Sequence, residues 1–167
     1  MKIEKMNKKI KEEDRKSRNR RIISIAVVLF AVCFGVYWMM PKSFEMGTSG
    51  AFTKAEVEEK AEQVIELLNE NDFEGLKEIS TGKIQGSISE GTIESVRQEI
   101  SADWGEFVSI GEEAYTTEVK QKGKLMAAIQ KVVSYENIEV IYTISFDREM
   151  RLAGLHMTEK GASENQQ

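Results

Sequence analysis

Ile138-Glu-Val-Ile-Tyr-Thr-Ile-Ser-Phe146 alternates with a period of two, so Ile138, Val140, Tyr142, Ile144 and Phe146 fall on one side and Glu139, Ile141, Thr143 and Ser145 on the other. A strand patterned this way buries one face and needs an apolar layer to cover it. Its neighbours carry related signals. Residues 124–135 and 151–157 read as strands rich in β-branched and apolar residues, separated from the central one by Glu136 and Asn137 on one side and by Asp147, Arg148 and Glu149 on the other. Residues 107–110 and 114–119 read as two further short strands.

Upstream the period becomes helical. Thr53, with Glu56 three residues on, forms a capping-box signal, and Phe52 and Val57 stand where a hydrophobic staple would place them. Val57, Ala61, Val64, Ile65 and Leu68 then recur at spacings of three and four, giving one apolar stripe that Asn69 to Asp72 interrupts. Phe73, Leu76 and Ile79 predict a short second helix. Ile93, Val96, Ile100 and Trp104 predict a third that closes on Trp104, with Gly105 free to take the left-handed geometry of a helix end. Helices first and antiparallel strands afterwards predict an α+β domain in two layers, with the helices packed on a curved antiparallel sheet.

Ahead of this domain the chain has a different character. Residues 22–40 form an apolar run of nineteen with only Ser24 and Gly35 as breaks. As a helix they would extend roughly 28 Å, close to the hydrocarbon thickness of a bilayer. Residues 1–21 hold ten Lys or Arg against four acids, a net of +6. The positive-inside bias therefore predicts a single-pass anchor with the N-terminus in the cytoplasm and the rest of the chain displayed outside, at the cell membrane. A cleaved signal peptide would have a shorter apolar core and a small-residue cleavage site, where this chain has Trp38, Met39, Met40 and Pro41. A lipoprotein would turn polar after Cys33, whereas residues 34–40 stay apolar. Residues 41–51 are small, polar and without periodicity, and read as a linker; 52–158 form the extracytoplasmic domain, and 159–167 a disordered tail.

Beyond residue 21 there remain 13 cations and 24 acids, a net of −11. A surface so acidic is a poor partner for nucleic acid or anionic lipid. That part also contains no cysteine, so its stability rests on an apolar core and not on disulfides.

The order of signals resembles a known family. Asn69-Glu-Asn-Asp-Phe-Glu-Gly-Leu76, the segment closing on Trp104 with Gly111 soon after, residues 140–146, and Ala153-Gly-Leu155 together resemble the bacterial domain of unknown function 3887, within the nuclear-transport-factor-2-like superfamily. The resemblance implies a cone-shaped fold whose helices and curved sheet enclose a pocket. It brings no catalytic residues to transfer, because the family has no established reaction.

The residues themselves name no chemistry. There is no phosphate-binding glycine loop, dinucleotide fingerprint, paired-histidine motif or nucleophile elbow, so no catalytic residue is assigned and no cofactor is expected. One His and no Cys beyond the anchor leave this part of the chain short of zinc ligands, and no metal site is assigned. His156 shares parity with Leu152 and Gly154, whereas Ala153, Leu155 and Met157 form the more apolar face of the last strand, so the imidazole is expected at the surface. Trp104, Tyr115, Tyr135 and Tyr142 are the candidate lining of a ligand pocket, although core packing accounts for the same residues. The acidic positions Glu56, Glu58, Glu59, Glu62 and Glu66 read as a solvated helix face. The expectation is a membrane-anchored module that binds a partner protein, a second copy of itself or a small ligand. Homodimerisation would cover Met126, Val132 and Ile141 on the second face of the sheet. The alternatives are an isomerase- or dehydratase-type enzyme and an assembly factor of a secretion or conjugation apparatus.

Overall fold

The computed structural model describes residues 40–161; the anchor expected at 22–40, except Met40, and the last six residues lie outside the described residues. Among the described residues no helix is long and apolar enough to cross a membrane. Pro41–Gln167 forms one compact unit. Its elements are β1 (Lys42–Glu45), α1 (Lys54–Asn69), α2 (Phe73–Glu78), α3 (Gly82–Gln85), α4 (Glu90–Ile100), β2 (Phe107–Gln121), β3 (Lys124–Tyr135), β4 (Glu139–Phe146) and β5 (Leu152–Glu159). The five strands form one antiparallel sheet in the order β1-β2-β3-β4-β5, curved and covered on one face by the helices. This is the α+β architecture that the switch from helical to alternating periodicity predicts.

α1 begins where its start signal stands. The Thr53 hydroxyl accepts a hydrogen bond from the Glu56 N–H, and that hydroxyl in turn donates to the Glu56 carboxylate at 2.8 Å. The box thus closes side chain to side chain, and a cap of this kind contributes about 1 kcal/mol. Val57, Ala61, Val64, Ile65 and Leu68 are all fully buried, so the stripe is the helix's core face. Asn71, in the left-handed region at φ 57°, turns the chain, and Asp72 caps α2 by accepting from the Gly75 N–H. On the sheet, Val140, Tyr142, Ile144 and Phe146 show no exposure, as the alternation of β4 requires.

Four local expectations are corrected. First, the segment read as a linker holds β1, which pairs along β2 from Lys42↔Lys120 to Glu45↔Thr117. The buried Glu118 carboxylate then accepts the Gly47 and Ser49 N–H groups at 2.9 and 3.0 Å, clasping the following turn to the sheet. Second, residues 107–110 and 114–119 belong to one strand, β2, bent by register shifts at Phe107/Ser109 and Ile110/Ala114. The carbonyl of Gly111, inside the second shift, takes a hydrogen bond from the buried Lys131 amine, which also pairs with Glu62 at 2.8 Å. Third, α4 stops at Ile100 and not at Trp104. Fourth, a shift between Ser145 and Phe146 sets Leu152 opposite Phe146 and Gly154 opposite Ser145, so Leu152 and Met157 are the buried side chains of β5 while Ala153 and Leu155 are half-buried. β5 also runs to Glu159, and Lys160 donates its N–H to the Glu139 carbonyl, so the ordered chain continues into the stretch read as a tail.

The β2–β3 connection is a two-residue hairpin at Lys122 and Gly123, both at positive φ. At the far edge, the Ile79–Thr81 segment exchanges hydrogen bonds with Leu152, covering β5.

Candidate ligand-binding site

The C-terminal end of α1, the last turns of α4, the start of β2 and the end of β3 meet at one place, around a cavity of about 270 Å³ lined by Asn69, Arg97, Trp104, Gly105, Glu106, Phe107 and Tyr135. The chain past α4 is shaped to form it. Trp104 lies outside the helix but reaches back, its indole N–H donating at 3.0 Å to the Arg97 carbonyl, which also accepts the Ser101 N–H at the helix end. Gly105 follows at φ +70°, and a Cβ there would lie 2.5 Å from the Glu136 Cβ, so only glycine brings the β3–β4 turn this close. The Asn137 N–H donates to the Trp104 carbonyl and the Glu106 N–H to the Glu136 carboxylate, fixing the loop on the turn.

The aromatic wall is set by edge-to-face packing. The Trp104 and Tyr135 rings lie 4.9 Å apart at 70°, and Phe107 and Tyr135 lie 6.1 Å apart at 74°. The Arg97 guanidinium carbon stands 5.5 Å from the centre of the Trp104 ring, and its Nη2 donates to the Leu68 carbonyl at the end of α1.

Behind this wall runs a one-way chain of donors. The Asn69 Oδ1 lies 2.7 Å from the Tyr135 hydroxyl, and that hydroxyl lies 2.7 Å from the Tyr142 hydroxyl. A carbonyl oxygen only accepts, so Tyr135 donates to Asn69, and Tyr142 must therefore donate to Tyr135. The charge of the Arg97 guanidinium acts on both phenols. Hydrogen bonding thus runs Tyr142 to Tyr135 to Asn69. Two donors are left over: Asn69 Nδ2 and Arg97 Nε are buried and have no partner.

Burial pushes both tyrosines above the ordinary phenol range. For Tyr142 the neighbouring Tyr135 adds to the rise; for Tyr135 the hydrogen bond from Tyr142 and the charge of Arg97 oppose it. The sign of the consequence follows from linkage. Above about pH 10 the unfolded chain loses phenolic protons that the folded chain keeps, so stability falls as pH rises, by up to about 1.4 kcal/mol per pH unit for each tyrosine held neutral. Denaturant titrations at pH 9 and pH 11 should show this fall and a shallower one in Tyr142→Phe. Parallel losses in the two proteins would mean that Tyr142 ionises freely.

Of the four aromatic residues singled out from sequence, Trp104 and Tyr135 line the cavity, Tyr142 supports it from behind, and Tyr115 is elsewhere. Tyr115 is 68% exposed on the face of the sheet away from the helices, where it lines an open depression with Gln130, Val132 and Ile141. His156 is exposed. Asn69 and Arg97 also line the cavity and were not among the expected site residues. Their signal was position: Asn69 follows Ile65 by four on the apolar stripe of α1, and Arg97 follows Ile93 by four on that of α4. Among the described residues no cluster of His, Cys, Asp and Glu is arranged to hold a metal ion.

Comparison with known proteins adds a family and a fold. None of the curated proteins matches the sequence. Among solved structures, the NMR structure of a protein from Ruminococcus gnavus ATCC 29149 is similar, at 26% identity and a TM-score of 0.59, covering 70% of this chain and 99% of that one. Residues 61–155, more than half of the chain, from within α1 to within β5, match the model of the family described as "Protein of unknown function (DUF3887)", and the chain belongs to that family.

Proposed function

We propose that the protein is a non-catalytic, membrane-tethered binding module, whose domain has the cone-like form of the nuclear-transport-factor-2-like superfamily and takes a small ligand in the cavity between Asn69, Arg97, Trp104 and Tyr135. The observation that supports the binding site is the cavity itself, walled by the edge-to-face pair Trp104 and Tyr135 with Phe107 and bordered by the polar residues Asn69 and Arg97. Binding is favoured over proton transfer by the same geometry. The hydroxyls near the cavity are held neutral by burial, and the carboxylate that lines it, Glu106, is exposed.

A fragment screen by ligand-observed NMR on the full chain in detergent tests the site. Hits are expected that disappear in Trp104→Ala, and a screen whose hits all survive that substitution would remove the reading. The tether rests on the apolar run at 22–40 and its basic flank. A tag placed after Gln167 should be cut by protease added to intact cells; protection of the tag would reverse the proposed orientation.

A further inference from the structure

We infer that the end of the sheet carrying the β2–β3 hairpin and the β4–β5 turn is a docking surface for anionic lipid headgroups, and that it holds the domain against the membrane to which residues 22–40 tether the chain. The inference rests on the tether proposed above and concerns the surface that the domain turns to the bilayer.

Strand register gathers the cations. Lys42 faces Lys120 across β1 and β2, and Gln121 faces Lys124 across the hairpin that holds Lys122. Ala127, Phe146 and Leu152 are in register behind it, so the β4–β5 turn with Arg148 and Arg151 stands at the same end. Lys83 joins them from α3, lining with Lys124, Arg148 and Arg151 a hollow of about 480 Å³. These seven side chains are all exposed, and they are more than half of the 13 cations beyond residue 21. Two acids line the hollow, Asp147 and Glu149, and Arg151 pairs with both, at 2.7 and 3.2 Å. Among the described residues Lys83, Lys120, Lys122, Lys124 and Arg148 have no carboxylate within ion-pair distance.

Acids stand at the other end. Glu139 faces Ser134, Glu159 faces Val140, and the Glu106 N–H donates to the Glu136 carboxylate, so these four surround the β3–β4 turn, with Lys160 paired to Glu139. From Val140 to Phe146 β4 rises roughly 20 Å, about two screening lengths at physiological salt. The two ends therefore act as separate fields, and the net negative charge of the domain does not decide what its basic end attracts. Chain length chooses the occupant. Lys42 comes two residues after the apolar run ends, and two residues reach at most about 7 Å. Since β1 is paired along β2, no slack follows the run, and a run that spans delivers these cations to the headgroups. A soluble polyanion offers the same phosphates, but nothing in the chain brings it to this end.

The test uses the full chain with Cys33→Ser and a single dye-labelled cysteine, placed either beside the hairpin as Gln121→Cys or near the opposite end as Ala102→Cys, both exposed positions. The chain is reconstituted into nanodiscs of phosphatidylcholine or of phosphatidylglycerol, and quenching of the dye by acrylamide is read. A cation near an anionic surface strengthens association roughly fivefold, so quenching at the hairpin should fall at least about twofold in the anionic discs. At the opposite end it should not change, and high salt should erase the difference. Lys120→Gln with Lys124→Gln should erase it as well, and Lys83→Gln with Arg148→Gln makes the same test from other loops. Equal quenching in the two lipids, or a difference that survives both pairs of substitutions, overturns the inference and leaves the tether intact. A chain that does not stay with the discs overturns the tether and the inference together. Shielding by added poly(glycerol phosphate) but not by phosphatidylglycerol overturns the lipid assignment in favour of a soluble polyanion.

Discussion

Phe146→Ala should remove about 3–5 kcal/mol of stability, the range for deleting a fully buried phenyl ring and leaving its cavity behind. Phe146 shows no exposure, closes β4 opposite Ala127 of β3 and Leu152 of β5, and sits where the register of β4 against β5 shifts. The two strand neighbours are themselves fully buried, so little can collapse into the space. Against a typical total of about 5–15 kcal/mol, that loss is a large fraction. Phe107→Ala supplies the contrast: its ring is 44% exposed, and its removal should cost under about 1 kcal/mol. Equilibrium urea denaturation of the full chain followed by circular dichroism measures both. A loss below about 1 kcal/mol for Phe146→Ala would mean that the end of the sheet at β4 and β5 is not part of the core.

The second large effect is an asymmetry. Lys131 is buried, its side chain 4% exposed, with Glu62 and the Gly111 carbonyl as partners, while the Glu62 side chain is 46% exposed. Removing Lys131 as Lys131→Met returns Glu62 to water and replaces a buried amine by a chain of similar length, for a change within about 1 kcal/mol. Removing Glu62 as Glu62→Ala leaves the cation inside with one carbonyl, and should cost about 3 kcal/mol, at the low end for a broken buried pair because the lost partner was half in solvent. The order of the two melting temperatures is the test. If Lys131→Met proved the more damaging, the ion pair would be a net stabiliser and the packing argument would fail.

What the sequence disclosed divides along physical lines. Local signals were legible: the cap at Thr53 is chemistry among four residues, and the buried faces of α1 and β4 are periodicities that no distant contact alters. The end of α4 was misread for an instructive reason. Trp104 follows Ile100 by four and does lie on the side of the core, but it gets there through Ser101 and Asp103 outside the helix, and its indole bonds back to Arg97 from beyond the helix end. Spacing imitated a turn that the backbone does not make. β1 was illegible because Lys42, Ser43, Phe44 and Glu45 are all exposed, so their alternation carries no core signal; only pairing to β2 makes them a strand. In β2 the residues at the register shift, Gly111 and Glu112, interrupt the alternation and made one bent strand look like two.

The candidate site was half legible. Aromatic side chains announce themselves by size, and three of the four proposed gather near one cavity. Asn69 and Arg97 stood on apolar stripes, where a polar residue is the anomaly, as did Lys131 and Glu118 on the inward parity of their strands. Inward polar positions are the common signature of these four side chains.

The clasp between Glu118 and the Gly47 and Ser49 amides also bears on the order of folding. β2 to β5 are joined by short turns, so their pairings close small loops, whereas β1 reaches β2 across a separation of about 70 residues. Loop-closure entropy and topology both place that contact late on the pathway. Until β1 arrives, an otherwise finished meander holds a carboxylate waiting for its two amides, so the N-terminal edge is expected to be the last part of the sheet to close.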